Sequence, residues 1–222
     1  MSNLLMYVTL AVAILEWISV ANKWKTVEYI TKPAVMVLLI AWMWTTAGPQ
    51  GAMIWFMLGV ALSLVGDVML MLPHERFIAG LVAFLLAHVS YIIGFNAASM
   101  PLNPASLLLL LPVGVVAWLI YRRIAAGLKA KQAQNLQMPV LAYTFVISLM
   151  LFFALTTLTR GGWEVRDALL VSFGASFFFI SDAVLAWNRF VSPIPRGRII
   201  NMMTYHLGQI MLIAGATLHL LG

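Results

Sequence analysis

The sequence predicts an all-α protein, a polytopic membrane bundle of eight transmembrane helices. Hydrophobic residues make up 63% of its 222 residues and charged residues only 9%, whereas about a quarter of the residues of a soluble domain are charged. The mean hydropathy is +0.99. The apolar residues lie in runs that approach the length of about 20 residues that a helix needs to cross a bilayer. These runs are too long, and alternate too little, to be membrane strands.

The limits of each run are marked in the sequence. No positive charges precede the first run and no small-residue cleavage site stands before Glu16, so we expect it to stay as a helix instead of being removed as a signal peptide. The second run is the shortest, which leaves an earlier start open, and it ends at the Gly and Pro residues of 46–51. Arg76 lies between the third and fourth runs, and Arg122 follows the fifth.

The last three runs are separated in the same way. The sixth stops before Arg160, and the residues of 192–197 divide the seventh from the eighth. A helix satisfies its backbone hydrogen bonds internally, and the loops are short, so residues 1–222 are predicted to form a single integral membrane domain. The predicted spans are 4–21, 33–48, 52–72, 77–97, 103–121, 137–158, 165–187 and 199–221.

The positive charges predict the orientation. Eleven of them belong to the odd-numbered loops and two, Arg160 and Arg166, to the even-numbered loops. Under the positive-inside rule both termini are therefore expected to be non-cytoplasmic. The net charge of +6 then faces the anionic inner leaflet, and we expect a multi-pass protein of the bacterial inner membrane that binds no nucleic acid. The eleven are Lys23, Lys25, Lys32, Arg76, Arg122, Arg123, Lys129, Lys131, Arg189, Arg196 and Arg198.

Two lone aspartates, Asp67 and Asp182, stand inside apolar runs in matching surroundings. Each has a glycine eight residues before it, a small residue directly before it and a leucine three residues after it. A charged aspartate inside the membrane costs about 3 kcal/mol, whereas a polar contact between helices contributes about 0.6 kcal/mol on average. Because the insertion cost exceeds what a polar contact contributes, a functional pocket is favoured. Contacts that only hold the bundle together remain an alternative. The matching residues are Gly59, Gly66 and Leu70 in one copy and Gly174, Ser181 and Leu185 in the other.

The run after each aspartate supplies a histidine with a polar residue three positions later, namely His88 with Tyr91 and His206 with Gln209. The two copies are four helices apart, and an even separation preserves orientation. Helix pairs 3–4 and 7–8 are therefore predicted to be related as a parallel repeat. Two copies of the same constellation suggest one composite site.

This constellation suits acid–base chemistry. Two aspartates in unequal surroundings can serve as one acid and one base, and His88 and His206 can orient a water or hold a proton. Lys32 either holds a lipid phosphate or anchors the topology, and Glu16 either joins the site or pairs with Lys23 or Lys25. Further hydrogen-bonding groups are expected from Tyr91, Tyr205, Gln209 and Asn201.

Five short motifs carry a resemblance to a known family. They are Lys32-Pro33, Gly66-Asp67, His88 with Tyr91, Ser181-Asp182 and Tyr205-His206. In this order, set in eight hydrophobic helices, they resemble the YhhN-type lysoplasmalogenase family over essentially the whole chain. The resemblance implies hydrolysis of the vinyl ether bond of lysoplasmalogens to a fatty aldehyde and glycerophosphoethanolamine or glycerophosphocholine.

That reaction fits the acid and base expected of the two aspartates. Protonation of a vinyl ether gives an oxocarbenium ion that water captures. The carboxylate pair of a glycosidase acts on a similar, oxocarbenium-like transition state. We therefore predict Asp67 and Asp182 as the catalytic pair, with their individual roles open. The expected partners are a lysophospholipid and the bilayer, with no obligatory protein partner, no cofactor and no metal. Two alternatives stay open: a proton-coupled transporter, and a zinc-dependent lipid hydrolase with Asp67, Asp182, His88 and His206 around the metal.

Overall fold

The computed structural model describes residues 2–72, 76–97 and 102–222. Within them it contains eight α-helices and two short 3-10 helices, Pro104–Leu109 and Gln134–Leu136, which lead into the fifth and sixth α-helices. Eight helical segments of the described residues are long and apolar enough to cross a membrane, so the predicted all-α multi-pass membrane protein is confirmed. The α-helices are α1 Ser2–Asn22, α2 Lys25–Thr46, α3 Met53–Met71, α4 Phe77–Asn96, α5 Leu110–Ala130, α6 Gln137–Thr156, α7 Val165–Phe190 and α8 Gly197–Leu221.

Two helices extend well beyond their predicted spans. α2 begins at Lys25, eight residues before the predicted start at 33, in line with the earlier start that was left open for this short run. α5 continues to Ala130, past the predicted end at 121, and carries Arg122 and Arg123 within the helix. The physical reason is that hydropathy reports which residues lie in hydrocarbon, whereas the backbone hydrogen bonds of a helix can continue into the polar interface.

The chain divides into two compact units. The first unit contains α1 to α4 and the end of α8 from Ile213 onward, and the second contains α5, α6, α7 and α8 as far as Leu212. In the first unit α1 packs on α2, α2 on α3, and α3 on α4. In the second unit α5 packs on α6 and α7, and α6 packs on α7.

Glycines set the close packing of α3 on α4 in the first unit. A side chain at Gly59 would collide with the ring of Tyr91, and a Cβ atom at Gly66 would lie 2.6 Å from the ring of Phe84. The two helices are thus antiparallel in a regular register, with each turn forward along α3 meeting a turn back along α4. The same register brings Gly94 against Phe56 and Gly80 against Leu70.

The second unit has a comparable contact between α7 and α8. A side chain at Gly174 would collide with the backbone of Leu212, and a Cβ atom at Gly208 would lie 2.8 Å from the backbone nitrogen of Phe178. Small residues allow membrane helices to approach closely enough for such backbone contacts. The glycine eight residues before each aspartate therefore lies against the next helix, while the parallel repeat itself stays a prediction.

The substitution Gly174→Ala is expected to destabilise the protein by about 1–3 kcal/mol, since the added methyl group would overlap rigid backbone and not a flexible side chain. The matched control is Gly114→Ala in α5, where a Cβ atom would meet nothing within 4 Å. Thermal unfolding of both purified variants in the same detergent measures the difference. Equal melting temperatures for the two would contradict the close α7–α8 contact.

Candidate functional site

Asp67 forms a buried ion pair with Lys32. The Lys32 ammonium on α2 lies 3.0 Å from Asp67 Oδ1 on α3, and the side chains are 10% and 1% exposed. Asp67 is four residues from the end of α3 and Lys32 is the eighth residue of α2. The Lys32 ammonium thus pairs with a carboxylate inside the first unit, a contact that the sequence did not predict, and both roles expected of Lys32 stay predictions. The pair offsets the cost of two charges inside the membrane-spanning segments.

Glu16 of α1 lies beside the residue that precedes Lys32. Its carboxylate is 1% exposed and accepts a short hydrogen bond from the Thr31 hydroxyl and another, at 3.2 Å, from Ser19. Lys25, one of the two lysines predicted to pair with it, lies 3.9 Å from Glu28 instead. The first unit thus gathers Glu16, Lys32 and Asp67 on three successive helices, and sequence reasoning did not anticipate the contribution of Thr31.

His88 and Tyr91 lie on α4, which packs against the helix that carries Asp67. Both side chains are fully buried. The Tyr91 ring covers Gly59 and stacks on Phe56 with the ring centroids 6.1 Å apart. The Tyr91 ring thus packs against α3, and the His88 imidazole is buried on the same helix.

Asp182 of α7 has a partner that the sequence analysis missed. The Tyr143 hydroxyl on α6 donates a short hydrogen bond to Asp182 Oδ2. Asp182 is half-buried, whereas Tyr143 is buried. The signal in the sequence was the tyrosine hydroxyl itself, since a polar group in a spanning segment requires a partner. Tyr143 was overlooked because it belongs to neither copy of the repeated constellation.

Ser181 and Asn201 fasten α7 to α8 directly beside Asp182. The Asn201 amide donates to the Ser181 carbonyl oxygen and to its hydroxyl oxygen, both at 2.8 Å, and the Ser181 hydroxyl lies 3.1 Å from the Asn201 carbonyl oxygen. Both residues are buried. Asn201, predicted as a hydrogen-bond donor of the site, thus acts on the backbone that positions Asp182.

The remaining predicted residues lie on α8. Tyr205 is 3% exposed, and His206 and Gln209 are fully buried. The Tyr205 ring meets Phe178 of α7 edge-on, with the centroids 5.4 Å apart, and lies 5.3 Å from the His206 ring. The second unit therefore buries an imidazole and an amide on the helix that is fastened to α7 at Ser181.

Across the ranges 2–72, 76–97 and 102–222, no three His, Asp or Glu side chains are grouped so that they can hold a metal ion. The four ligands proposed for a zinc centre do not form such a group there. The polar residues instead engage in ion pairs and hydrogen bonds with one another.

The described residues form eight helices that are long and apolar enough to span a membrane, and acidic, basic and imidazole side chains are buried between them. These features define a polytopic integral membrane protein. Residues 27–216 match the model of the YhhN family, and the chain belongs to that family.

Three relatives show how far the similarity extends. Lysoplasmalogenase TMEM86B of Rattus norvegicus is 31% identical over 191 residues, which cover 86% of this chain and 73% of the relative. The Mus musculus protein of the same name is 33% identical, with coverage of 86% and 75%. The uncharacterized membrane protein YhhN of Escherichia coli O157:H7 is 24% identical over 92% of this chain and 95% of its own length. No solved structure matches the chain.

Proposed function

We propose that this protein is a lysoplasmalogenase, an integral membrane hydrolase that cleaves the vinyl ether bond of lysoplasmalogens. The products are a fatty aldehyde and glycerophosphoethanolamine or glycerophosphocholine. Support comes from the YhhN family match and from relatives that carry this name and share about a third of their residues over most of both chains. We place this multi-pass protein in the bacterial inner membrane, since a lysoplasmalogen resides in a bilayer.

The observation that carries the proposal is the buried ion pair between Lys32 and Asp67. Inserting charges into a membrane costs about 3 kcal/mol each, and a buried pair is often no more stabilising than apolar residues of similar volume. If these positions served only stability, apolar residues at both of them would carry a smaller free-energy cost. A general base must be a carboxylate, which is the form in which Asp67 pairs with Lys32, so we assign Asp67 as the general base.

Asp182 is proposed as the general acid. In the first step its proton is transferred to the β carbon of the vinyl ether, which converts the alkenyl group into an oxocarbenium ion. The Tyr143 hydroxyl holds Oδ2 of Asp182, and the proton leaves from the other carboxyl oxygen. The Ser181 and Asn201 hydrogen bonds keep this part of α7 in place during the transfer.

Water completes the reaction. Asp67 takes one proton from a water molecule while the water oxygen bonds to the oxocarbenium carbon, which gives a hemiacetal. Collapse of the hemiacetal breaks its carbon–oxygen bond to the glycerol: Asp67 gives its proton to the departing glycerol oxygen, and the hemiacetal hydroxyl gives its proton to Asp182. The aldehyde and an alcohol leave, and both carboxyl groups return to their starting states. The supporting roles proposed for His88, Tyr91, Tyr205, His206, Gln209, Lys32 and Glu16 are to hold the polar part of the lipid and the water near these carboxyl groups.

A direct assay tests the proposed function. Purified protein is incubated with a lysoplasmalogen in detergent micelles, with and without a chelator, and released aldehyde is measured. We expect release without added metal and no loss with the chelator. Loss with the chelator and recovery with zinc would instead support the zinc-dependent hydrolase. If a preparation that shows a thermal unfolding transition, and is therefore folded, releases no aldehyde, the hydrolase is refuted and the proton-coupled transporter is favoured.

A further inference from the structure

A groove runs between α5 and α6 in the second unit. It has a volume of about 270 Å³ and is lined mainly by apolar and aromatic side chains. Of the three hydroxyls along it, those of Thr144 and Ser148 donate to carbonyl oxygens one turn back at 2.8 and 2.6 Å, and that of Tyr121 lies 3.5 Å from the Gln137 carbonyl oxygen. With those donors directed at carbonyl oxygens of the protein, the groove suits hydrocarbon. Its lining includes Val113, Ala117, Trp118, Leu141, Phe145 and Phe152.

The length of the groove matches one leaflet of a bilayer. Its lining on α5 extends from Leu110 to Tyr121, which is about 16 Å at the helical rise of about 1.5 Å per residue. The hydrocarbon core of a bilayer is about 30 Å thick, so about half of it lies alongside the groove. A single acyl chain from one leaflet therefore fits along it.

Positive charge marks one end of the groove. Arg122 directly follows the last lining residue on α5, and its guanidinium lies 4.3 Å from the centre of the Trp118 ring. Arg122 and Arg123 are both exposed, and Lys129 and Lys131 follow them, whereas residues 102–163 contain no Asp or Glu. A guanidinium fixed on an indole ring presents its donors to a phosphate in a defined orientation.

We propose that this groove binds an anionic phospholipid of the surrounding bilayer, with one acyl chain between α5 and α6 and the phosphate on Arg122. The site is distinct from Asp182. Leu141, Phe145 and Phe152 recur at helical spacing on one face of α6, and Tyr143, which bonds Asp182, is two residues from both Leu141 and Phe145 and so lies on the opposite face.

Photolabelling tests this site without any measurement of turnover. The protein is placed in phosphatidylcholine nanodiscs that contain a trace of phosphatidylglycerol with a photoreactive acyl chain, and labelled peptides are mapped. The comparison probe is photoreactive phosphatidylcholine with the same chain. We expect the anionic probe to label residues 110–152 about fivefold more than the zwitterionic one, the effect of about one charge contact near the surface.

Three variants sharpen the result. Arg122→Gln is expected to remove the headgroup preference, and Gly114→Trp is expected to block labelling by filling the groove, since a Cβ atom at Gly114 meets nothing within 4 Å. Arg189→Gln is the matched control, because Arg189 also lies over an aromatic ring, that of Phe190, at 5.7 Å. Equal labelling by both probes would show only nonspecific bilayer contact. A preference that survives Arg122→Gln would show that Arg122 does not hold the headgroup, and either result would overturn the proposal.

A second inference concerns Ser63 and rests on the proposed function. The Ser63 hydroxyl on α3 is buried and has no hydrogen-bond partner in the described part of the chain. Ser90, Ser148 and Ser176, by contrast, donate to the carbonyl oxygen four residues back, at 2.9, 2.6 and 2.8 Å. A buried hydroxyl without a partner carries a free-energy cost, which indicates that something absent from the protein itself binds there.

The surroundings of Ser63 identify that ligand as water. Ser63 precedes Asp67 by one helical turn, which places the two side chains on the same face with about 5–6 Å between their Cβ atoms. The α3–α4 register set by Gly59 and Gly66 brings the small residue Ala87 opposite Ser63. The matching position four residues before Asp182 is the buried Phe178. Of the two aspartates, Asp67 is therefore the one with a hydroxyl group one turn before it. We infer that Ser63 positions the water that Asp67 deprotonates.

A stability and turnover comparison tests this role. We expect Ser63→Ala to lower kcat about tenfold with KM unchanged, while the melting temperature changes little, because the hydroxyl that is removed makes no hydrogen bond to the described part of the chain. Ser63→Thr is expected to keep kcat, and Ser90→Ala serves as the matched control. Unchanged kcat in Ser63→Ala overturns the inference about Ser63 alone, whereas absence of aldehyde release from the wild-type protein refutes the proposed function.

Discussion

Replacing Asp67 with asparagine is expected to slow aldehyde release at least about 100-fold, within the usual range for losing a general base. Asparagine keeps the size of the side chain and a hydrogen-bonding oxygen for the Lys32 ammonium, but it cannot take a proton from water. The measurement is kcat for lysoplasmalogen, with the melting temperature recorded on the same preparation. Turnover near the wild-type level in a folded Asp67→Asn protein would refute the role of Asp67.

A mutant cycle with Lys32 separates catalysis from stability. Lys32→Met leaves the buried Asp67 charge without its ion-pair partner at 3.0 Å, and breaking a buried pair in this way costs about 3–5 kcal/mol. The double variant Lys32→Met with Asp67→Asn removes both charges and is expected to recover most of that stability while remaining inactive. Additive losses of stability in the double variant would contradict the direct coupling of the two charges.

The fold was predictable because bilayer physics restricts what an apolar chain can do. A spanning segment must satisfy its backbone internally, so runs of the right length predict helices, and α3, α4 and α8 begin and end within about two residues of their predicted spans. The helix ends that differ most, at Lys25 of α2 and Ala130 of α5, lie where the sequence turns polar. Hydropathy contains no information about how far a helix continues into the interface.

The candidate site was predictable only in part. Asp67 and Asp182 stood out because a lone carboxylate in an apolar run is costly. Their partners belong to different helices, and Tyr143 pairs with Asp182 across 39 positions of the chain. A linear pattern does not specify which residues of neighbouring helices meet, so neither the Lys32–Asp67 ion pair nor the Tyr143–Asp182 hydrogen bond was predicted. The arrangement of both aspartates in one composite site stays a prediction.

The role of Asn201 illustrates the same limit. The sequence indicated a hydrogen-bond donor in a membrane helix, and that much holds. Its amide donates to the backbone and the side chain of Ser181 at 2.8 Å, which is a contact between α7 and α8 and positions the neighbouring Asp182. A spacing rule along α8 cannot distinguish a donor aimed at another helix from a donor aimed at a substrate.

Asp182→Asn is expected to reduce aldehyde release by about 100-fold or more, because an amide has no proton to give to the vinyl ether carbon. Tyr143→Phe is expected to cause a smaller loss of about tenfold, since it removes the hydroxyl that holds Oδ2 and leaves the carboxyl group in place. The measurement is kcat at saturating substrate for both variants, together with thermal unfolding.

The matched control for Tyr143→Phe is Tyr121→Phe, which removes a hydroxyl in the same unit whose contact with the Gln137 carbonyl oxygen is long, at 3.5 Å. We expect this control to keep wild-type turnover. A double variant of Tyr143→Phe and Asp182→Asn should be no slower than Asp182→Asn alone, since the tyrosine acts through the carboxyl group. A further loss in the double variant would show that Tyr143 acts independently of Asp182 and would remove the tyrosine from the proposed proton transfer.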